Sequence, residues 1–370
     1  MRRYFLGLGA GYSKKQRREM LLAHGTEADY FNLQNYIIKE YGARQVLITR
    51  NGRSAIAGGL KYYFGDEGGE VIVNGLTCHA VIQGVKGAGM TPVYADIDVD
   101  NLNFTAKSLK KVLTKKTRAI IVQNTLGNMA PIKEIEKFAK ENKLVLIEDL
   151  AHCTGRKYAD GREAGMVGKI TVFSFGKDKT IDVVNGGAVA FRDSVAPLVN
   201  IPLMRPPIME VIRARLYPTL GLICRGASYV RLDGILLKFL FFTRLIRKSA
   251  DGEIDFKKRR LSYFQAKLAL GQLKQRGKNS KKPIREFKLV KNRDKILKEL
   301  QKMGYYLSGF WYERPVAPIR YYRFANFPEK KCPNAVFVAS HIINLPTYYT
   351  ERDLTPARRL IMISTVEGKK

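Results

Sequence analysis

The chain has 370 residues, 45% hydrophobic and 26% charged, about two domains' worth of sequence with enough apolar material for a sizeable core; general disorder is excluded. Lysines and arginines number 65 against 33 acids, a net charge of +32 that speaks for anionic partners (nucleic acid, an anionic membrane surface or a phosphate-rich substrate) and not for any fold. Four scattered cysteines (Cys78, Cys153, Cys224, Cys332) argue against a disulfide framework, and four histidines without ligand spacing argue against a metal site.

The N-terminal apolar run is too short for a signal-peptide core, and no stretch has the length and apolarity of a spanning helix, so a cytoplasmic protein is expected. Asn51-Gly-Arg-Ser-Ala-Ile56 reads as a small-residue turn opening a helix, whose first N–H groups suit a phosphate; an ordinary turn has the same residues. From Val71 to Phe191 short β-rich runs follow: Val71–Asn74, Pro92–Tyr94, Ala119–Val122, Leu144–Ile147 and Thr171–Phe173. Helical stretches such as Ser108–Leu113 and Ile132–Asn142 separate them. The runs do not alternate polar with apolar, which predicts strands buried on both faces of a mostly parallel α/β sheet. Ligands gather beyond the carboxyl ends of such strands, which singles out Asn124, Asp149 and the stretch Ser174–Lys179.

Leu144–His152 delivers Asp149 at a strand end, with His152 expected one helical turn later; an aspartate there also serves as a helix cap. Thr171–Thr180 ends a strand at Ser174 and carries Lys177 and Lys179 in a loop, followed by Asn185-Gly-Gly187, where glycines allow close backbone approach. A lysine desolvated in such a loop meets the requirement for a Schiff-base amine. After about residue 200 the character changes: residues 205–298 hold 25 lysines and arginines and seven acids. Gly234–Lys248 is an apolar run edged by cations, suited to an interfacial helix or to a core or dimer-interface helix. From Arg285 a smaller α+β unit follows, ending in a basic tail.

Taken in order, G-x-[ST]-A before a helix, E-D-x-A-[HQ], and F-S-F-x-x-x-K with Gly-Gly soon after resemble the DegT/StrS-type sugar aminotransferases. These are pyridoxal-phosphate enzymes of fold type I in the aspartate aminotransferase superfamily. Pro92-Val-Tyr-Ala-Asp-Ile-Asp98, Arg260-Leu-Ser-Tyr-Phe-Gln-Ala266 and Cys332-Pro-Asn-Ala335 leading to Leu345-Pro346 extend the likeness from about Phe31 to Ile361, faintly between 200 and 258. The resemblance implies an α/β fold-type-I large domain (1–200), a divergent basic and apolar segment (201–258) and a smaller C-terminal α+β domain (259–370), paired as a homodimer.

Residue by residue, the resemblance makes Lys179 the amine that condenses with pyridoxal 5'-phosphate and later moves the proton. It sets Asp149 on the pyridine nitrogen and His152 beside the ring, with Ser174, Arg53 and Ser54 around the phosphate. Where the family has an aromatic stacking residue this chain has Cys78 followed by His79, so either side chain is a candidate to pack on the ring, and a structural role for His79 stays open. Phe256-Lys-Lys258 replaces the family's Gly-Tyr-Asn, so Lys258 is a candidate for the neighbouring subunit's phosphate contact.

The implied reaction moves an amino group from an amino-acid donor, glutamate by family habit, to a nucleotide-linked keto-sugar for surface-polysaccharide or amino-sugar synthesis. The basic excess adds an expected peripheral association with an anionic membrane; no specific nucleic-acid motif is present. The competing reading is a degenerate member that has kept only a basic membrane- or nucleic-acid-binding surface.

Overall fold

The computed structural model describes residues 4–5, 11–193, 204–230, 232–247, 254–255, 259–276, 283–306, 311–347 and 351–365. Its centre is a seven-stranded sheet: β1 (Gln45–Thr49), β2 (Glu70–Asn74), β3 (Thr91–Ala95), β4 (Thr117–Val122), β5 (Val145–Asp149), β6 (Ile170–Ser174) and β7 (Gly187–Phe191). They lie in the order β1-β7-β6-β5-β4-β2-β3. Only β7 runs against its neighbours, pairing antiparallel with both β6 and β1; the pairs from β6 through to β3 are parallel. The mostly parallel α/β sheet is therefore as expected, with β1 and β7 added to the five runs named from the sequence.

Successive residues of a strand point to opposite faces, and both faces here are covered. Ile72, Ile120, Leu146, Phe173 and Ala188 enter one hydrophobic cluster, while Val71, Ile121, Ile147, Val172 and Val189 enter a second on the other side. This is why the strands read as unbroken apolar runs. Helix α1 (Gly52–Phe64) packs across β7 and β6, close enough that a side chain at Gly59 would meet Val189 at 3.0 Å.

One local expectation is corrected. His152 does not stand on a helix: after β5 the chain makes consecutive tight turns through residues 151–155. Asp149 draws the Ala151 N–H to its own carboxylate at 3.0 Å, the Cys153 and Thr154 N–H groups both return to the Leu150 carbonyl, and Gly155 turns the chain out at φ 76°. Competing side-chain acceptors of this kind favour turns over helix.

Helix Tyr263–Arg276 buries Ala266, Ala269 and Leu273 in the first cluster of the large sheet, joined by Leu261 just before it. We place the start of the smaller unit after it. There β8 (Arg285–Leu289) and β9 (Ile342–Pro346) pair antiparallel, and helices Arg293–Lys302 and Glu351–Ile363 close a third cluster around Val290, Leu300, Ile343 and Leu354. Two of the quoted sequence stretches meet at its junction with the sheet. The Asp96 carboxylate accepts the N–H groups of Asn334 (3.1 Å) and Ala335 (3.0 Å), capping helix Pro333–His341 from outside its own strand of sequence.

The basic segment forms a helical hairpin, Ile208–Ser228 and Asp233–Phe242, that covers a fourth cluster containing Tyr12, Met20, Val184 and Phe264. No helix of the described residues is long and apolar enough to cross a membrane.

Candidate active site

The loop between β6 and β7 is held at both ends, so the position of Lys179 is determined by the frame and not by the loop alone. Phe175 N–H donates to Gly186 O, and Thr180 donates to Ala151 O through both its N–H and its hydroxyl (2.9 Å). That tie brings the loop onto the turn after β5. The Lys179 Nζ then lies 3.0 Å from His152 Nε2. On the other side of the imidazole, Nδ1 accepts the Leu126 N–H at 3.2 Å, which places the ring proton on Nε2.

His152 is buried, and burial first, then the charges of Lys179 and Arg285, push its imidazole well below the ordinary range, so it stays neutral. Asp149 is buried on the same strand end. Burial raises its carboxyl, while the Ala151 N–H and the charge of Lys179 favour the ionised form. Lys179 thus joins Asp149 and His152, about 30 residues earlier in sequence, in one cluster.

Two residues not anticipated from the sequence complete it. The Trp311 ring stacks on His152 (centroids 4.9 Å apart) and lies 4.7 Å from Lys179 Nζ, and the Arg285 guanidinium lies 4.3 Å from the same ring. Arg285 is 3% exposed and donates to Asn344 Oδ1 at 3.1 Å; Asn344 holds the Trp311 backbone through its N–H and carbonyl. The next residue, Tyr312, is buried, sits at φ 70°, a costly conformation for a bulky side chain, and receives Gln123 Nε2–H at 3.2 Å. No short motif marks these residues; that Trp311 is the chain's single tryptophan was the available signal.

At the other end, Asn51 caps α1 by accepting the Ser54 N–H at 2.9 Å, and Gly52 lies so close to Ser174 that a Cβ would meet its Oγ at 2.9 Å. Ser174 is therefore at the mouth of a helix N-terminus, whose first N–H groups have no partners within the helix. Gly187 is required there: its Cβ would meet the Asn51 backbone at 2.8 Å. Arg53 and Ser54 are also on this turn, but Arg53 donates to Gln83 at 2.6 Å and the Ser54 hydroxyl accepts the Asp255 N–H at 2.8 Å.

Cys78 is half-buried and ends the short strand Thr77–Cys78, which pairs with Val316–Ala317. His79 opens helix His79–Gly87, is buried, and stacks flat on Tyr321 at 4.7 Å, so one face of its ring is taken. Asn124 is structural: it holds Tyr158 and the Ala130 N–H. Lys258 lies outside the described residues. Among the described residues no cluster of metal-ligating side chains occurs.

Residues 16–197 match the DegT/DnrJ/EryC1/StrS aminotransferase family model. GDP-perosamine synthase of Escherichia coli O157:H7 is 36% identical over 127 residues (34% of this chain, 35% of that protein). GDP-perosamine synthase of Caulobacter vibrioides is 30% identical over 180 residues (49% and 48%). The chain thus matches about a third to a half of the length of these relatives.

Over the whole fold, the aminotransferase PseC of Helicobacter pylori, involved in pseudoaminic acid biosynthesis, superposes with a TM-score of 0.64 at 18% identity, covering 95% of this chain and 96% of its own. Spr1654 of Streptococcus pneumoniae in its PLP form gives 0.65 at 17%, covering 95% and 96%. The fold is that of pyridoxal-phosphate-dependent aminotransferases. Over residues 16–197, just under half of its length, this chain is similar to the DegT/DnrJ/EryC1/StrS aminotransferase family.

Proposed function

We propose that this protein is a pyridoxal-phosphate-dependent aminotransferase that transfers an amino group to a nucleotide-linked keto-sugar. One observation carries the reading: a loop lysine whose amine meets a neutral, buried histidine beside a buried carboxylate. The donor set fits the cofactor. Asp149 offers a carboxylate to a protonated ring nitrogen, and Ser174 with the first turn of α1 offers donors to a phosphate. When bound, the cofactor supplies an aldehyde for amine capture and an electron-accepting ring.

The chain's own residues do the rest. Lys179 Nζ takes and returns the proton, and the Nε2–H of His152 orients its lone pair. Trp311 lies over Nζ, its ring centroid 4.7 Å away. Arg285, buried beside that ring, is suited to a carboxylate of the amino donor, glutamate in this proposal. The cationic surface draws an anionic sugar nucleotide toward the site. The proposal extends to a homodimer and to a peripheral position at an anionic membrane.

The test is spectroscopic. Purified protein with added pyridoxal phosphate is expected to show a visible absorbance band that borohydride bleaches, and Lys179→Ala is expected to lose it. Turnover is then read with glutamate and a panel of nucleotide keto-sugars. A colourless wild-type preparation that ignores the cofactor would point instead to a binding protein that has lost its chemistry.

A further inference from the structure

The hairpin Ile208–Ser228 and Asp233–Phe242 carries apolar residues on two faces. One face closes the fourth core cluster with Tyr217, Cys224 and Leu240, joined by the partly buried Leu236, Leu237 and Phe241. The other face is open. Ile235, Phe239 and Phe242, spaced i, i+4, i+7, are 69%, 58% and 87% exposed, and Leu222, Ile223, Tyr229, Val230 and Leu232 extend the exposed surface around the turn. So many exposed large apolar side chains on one hairpin cost free energy in water and mark an interaction site.

Its surroundings decide the occupant. Residues 208–248 hold eight lysines and arginines and two acids, Asp233 and Glu210, the latter paired with Arg50. A second copy of the hairpin would bring like charges together, and a nucleic acid would leave the apolar edge in water. An anionic bilayer satisfies both features: the acyl boundary takes the apolar edge and the headgroups take the cations. The geometry points to the hairpin as a docking element that lays Ile235, Phe239 and Phe242 among the headgroups of an anionic membrane.

The base of the hairpin reaches the catalytic loop. Lys177, two residues before Lys179, donates to Arg247 O at 2.6 Å and lies 4.2 Å over the Tyr217 ring. Glu210 pairs with Arg50 at 2.6 Å and accepts from Asn185 at 3.2 Å, on the segments that frame the α1 N-terminus. Docking therefore holds the same loop that positions the amine. Lipid binding stands independently of the aminotransferase reading; its effect on turnover rests on that reading.

The full chain, incubated with pyridoxal phosphate, is floated with vesicles of phosphatidylcholine alone and with phosphatidylglycerol added. Flotation is expected only with the anionic vesicles at low salt. It should weaken about tenfold or more in F239D/F242D and about fivefold in Lys238→Ala. Absence of flotation, unchanged flotation of F239D/F242D, or a change in that variant confined to oligomeric state in sedimentation would each overturn the proposal. The absorbance band is recorded on the same samples. Flotation without the band counts against the aminotransferase reading alone, and the band without flotation counts against the docking element alone.

Discussion

Neutral His152 lies 3.0 Å from Lys179 Nζ with its Nδ1 taken by the Leu126 N–H, and the Trp311 ring stacks on the imidazole. Because Trp311 is the only tryptophan, its fluorescence reports this site directly. Loading with pyridoxal phosphate, which absorbs where indole emits, is expected to quench most of the emission; cofactor uptake that leaves emission untouched would remove Trp311 from the site. A second side chain makes a pH prediction. His79 is held down to about 4 from 6.5 by burial, with Arg53 and Lys86 adding repulsion, and its Nδ1 is buried without a partner. The unfolded chain takes up that proton near 6.5 and the fold resists it until about 4, so this stability is complete above about 6.5 and lost as pH falls to about 4. His79→Phe keeps a ring on Tyr321 and removes the titration. Its urea midpoint should fall less steeply than wild type through that window, and parallel curves would refute the assignment.

Strands and turns were readable one at a time because their causes are local. Unbroken apolar runs announced buried strands, and Gly-Gly announced a close approach that Gly187 makes against Asn51. Gly187→Ala forces a Cβ to 2.8 Å from that backbone, which does not give way like a side chain. We expect a loss of about 1–3 kcal/mol in urea melts together with weaker cofactor uptake, since Asn51 caps the helix whose N-terminus is proposed to hold the phosphate. The turn at His152 was misread as helix because the decisive acceptor, the Asp149 carboxylate, is a side chain competing with the backbone. Asp96 is the converse, a cap supplied by a distant strand where Cys332 precedes the helix. Asp96→Ala should cost about 1 kcal/mol, seen as a lowered urea midpoint, and an unchanged midpoint would show the cap to be idle.

For the molecule as a whole, a net charge of +32 means self-repulsion. Raising the ionic strength screens it, so the Tm is expected to climb by several degrees from low to moderate salt, while adhesion to anionic vesicles weakens over the same range. A Tm that falls with salt would mean that attractive ion pairs outweigh the repulsion. The hairpin joins basic residues to an exposed apolar edge, a combination that composition announced and only the exposure of Ile235, Phe239 and Phe242 could locate.

Chain order alone carried the α/β class, the family resemblance, and the candidate trio of Lys179, Asp149 and His152, because each depends on short stretches whose chemistry is legible in place. The partners of those side chains were not legible. Arg285 and Trp311 come from the smaller unit, Arg53 turns to Gln83, and Ser54 is taken by Asp255, contacts between residues from about 30 to 200 positions apart that local sequence does not encode. Packing decided them, since a buried polar group takes whichever partner the assembled core brings within reach.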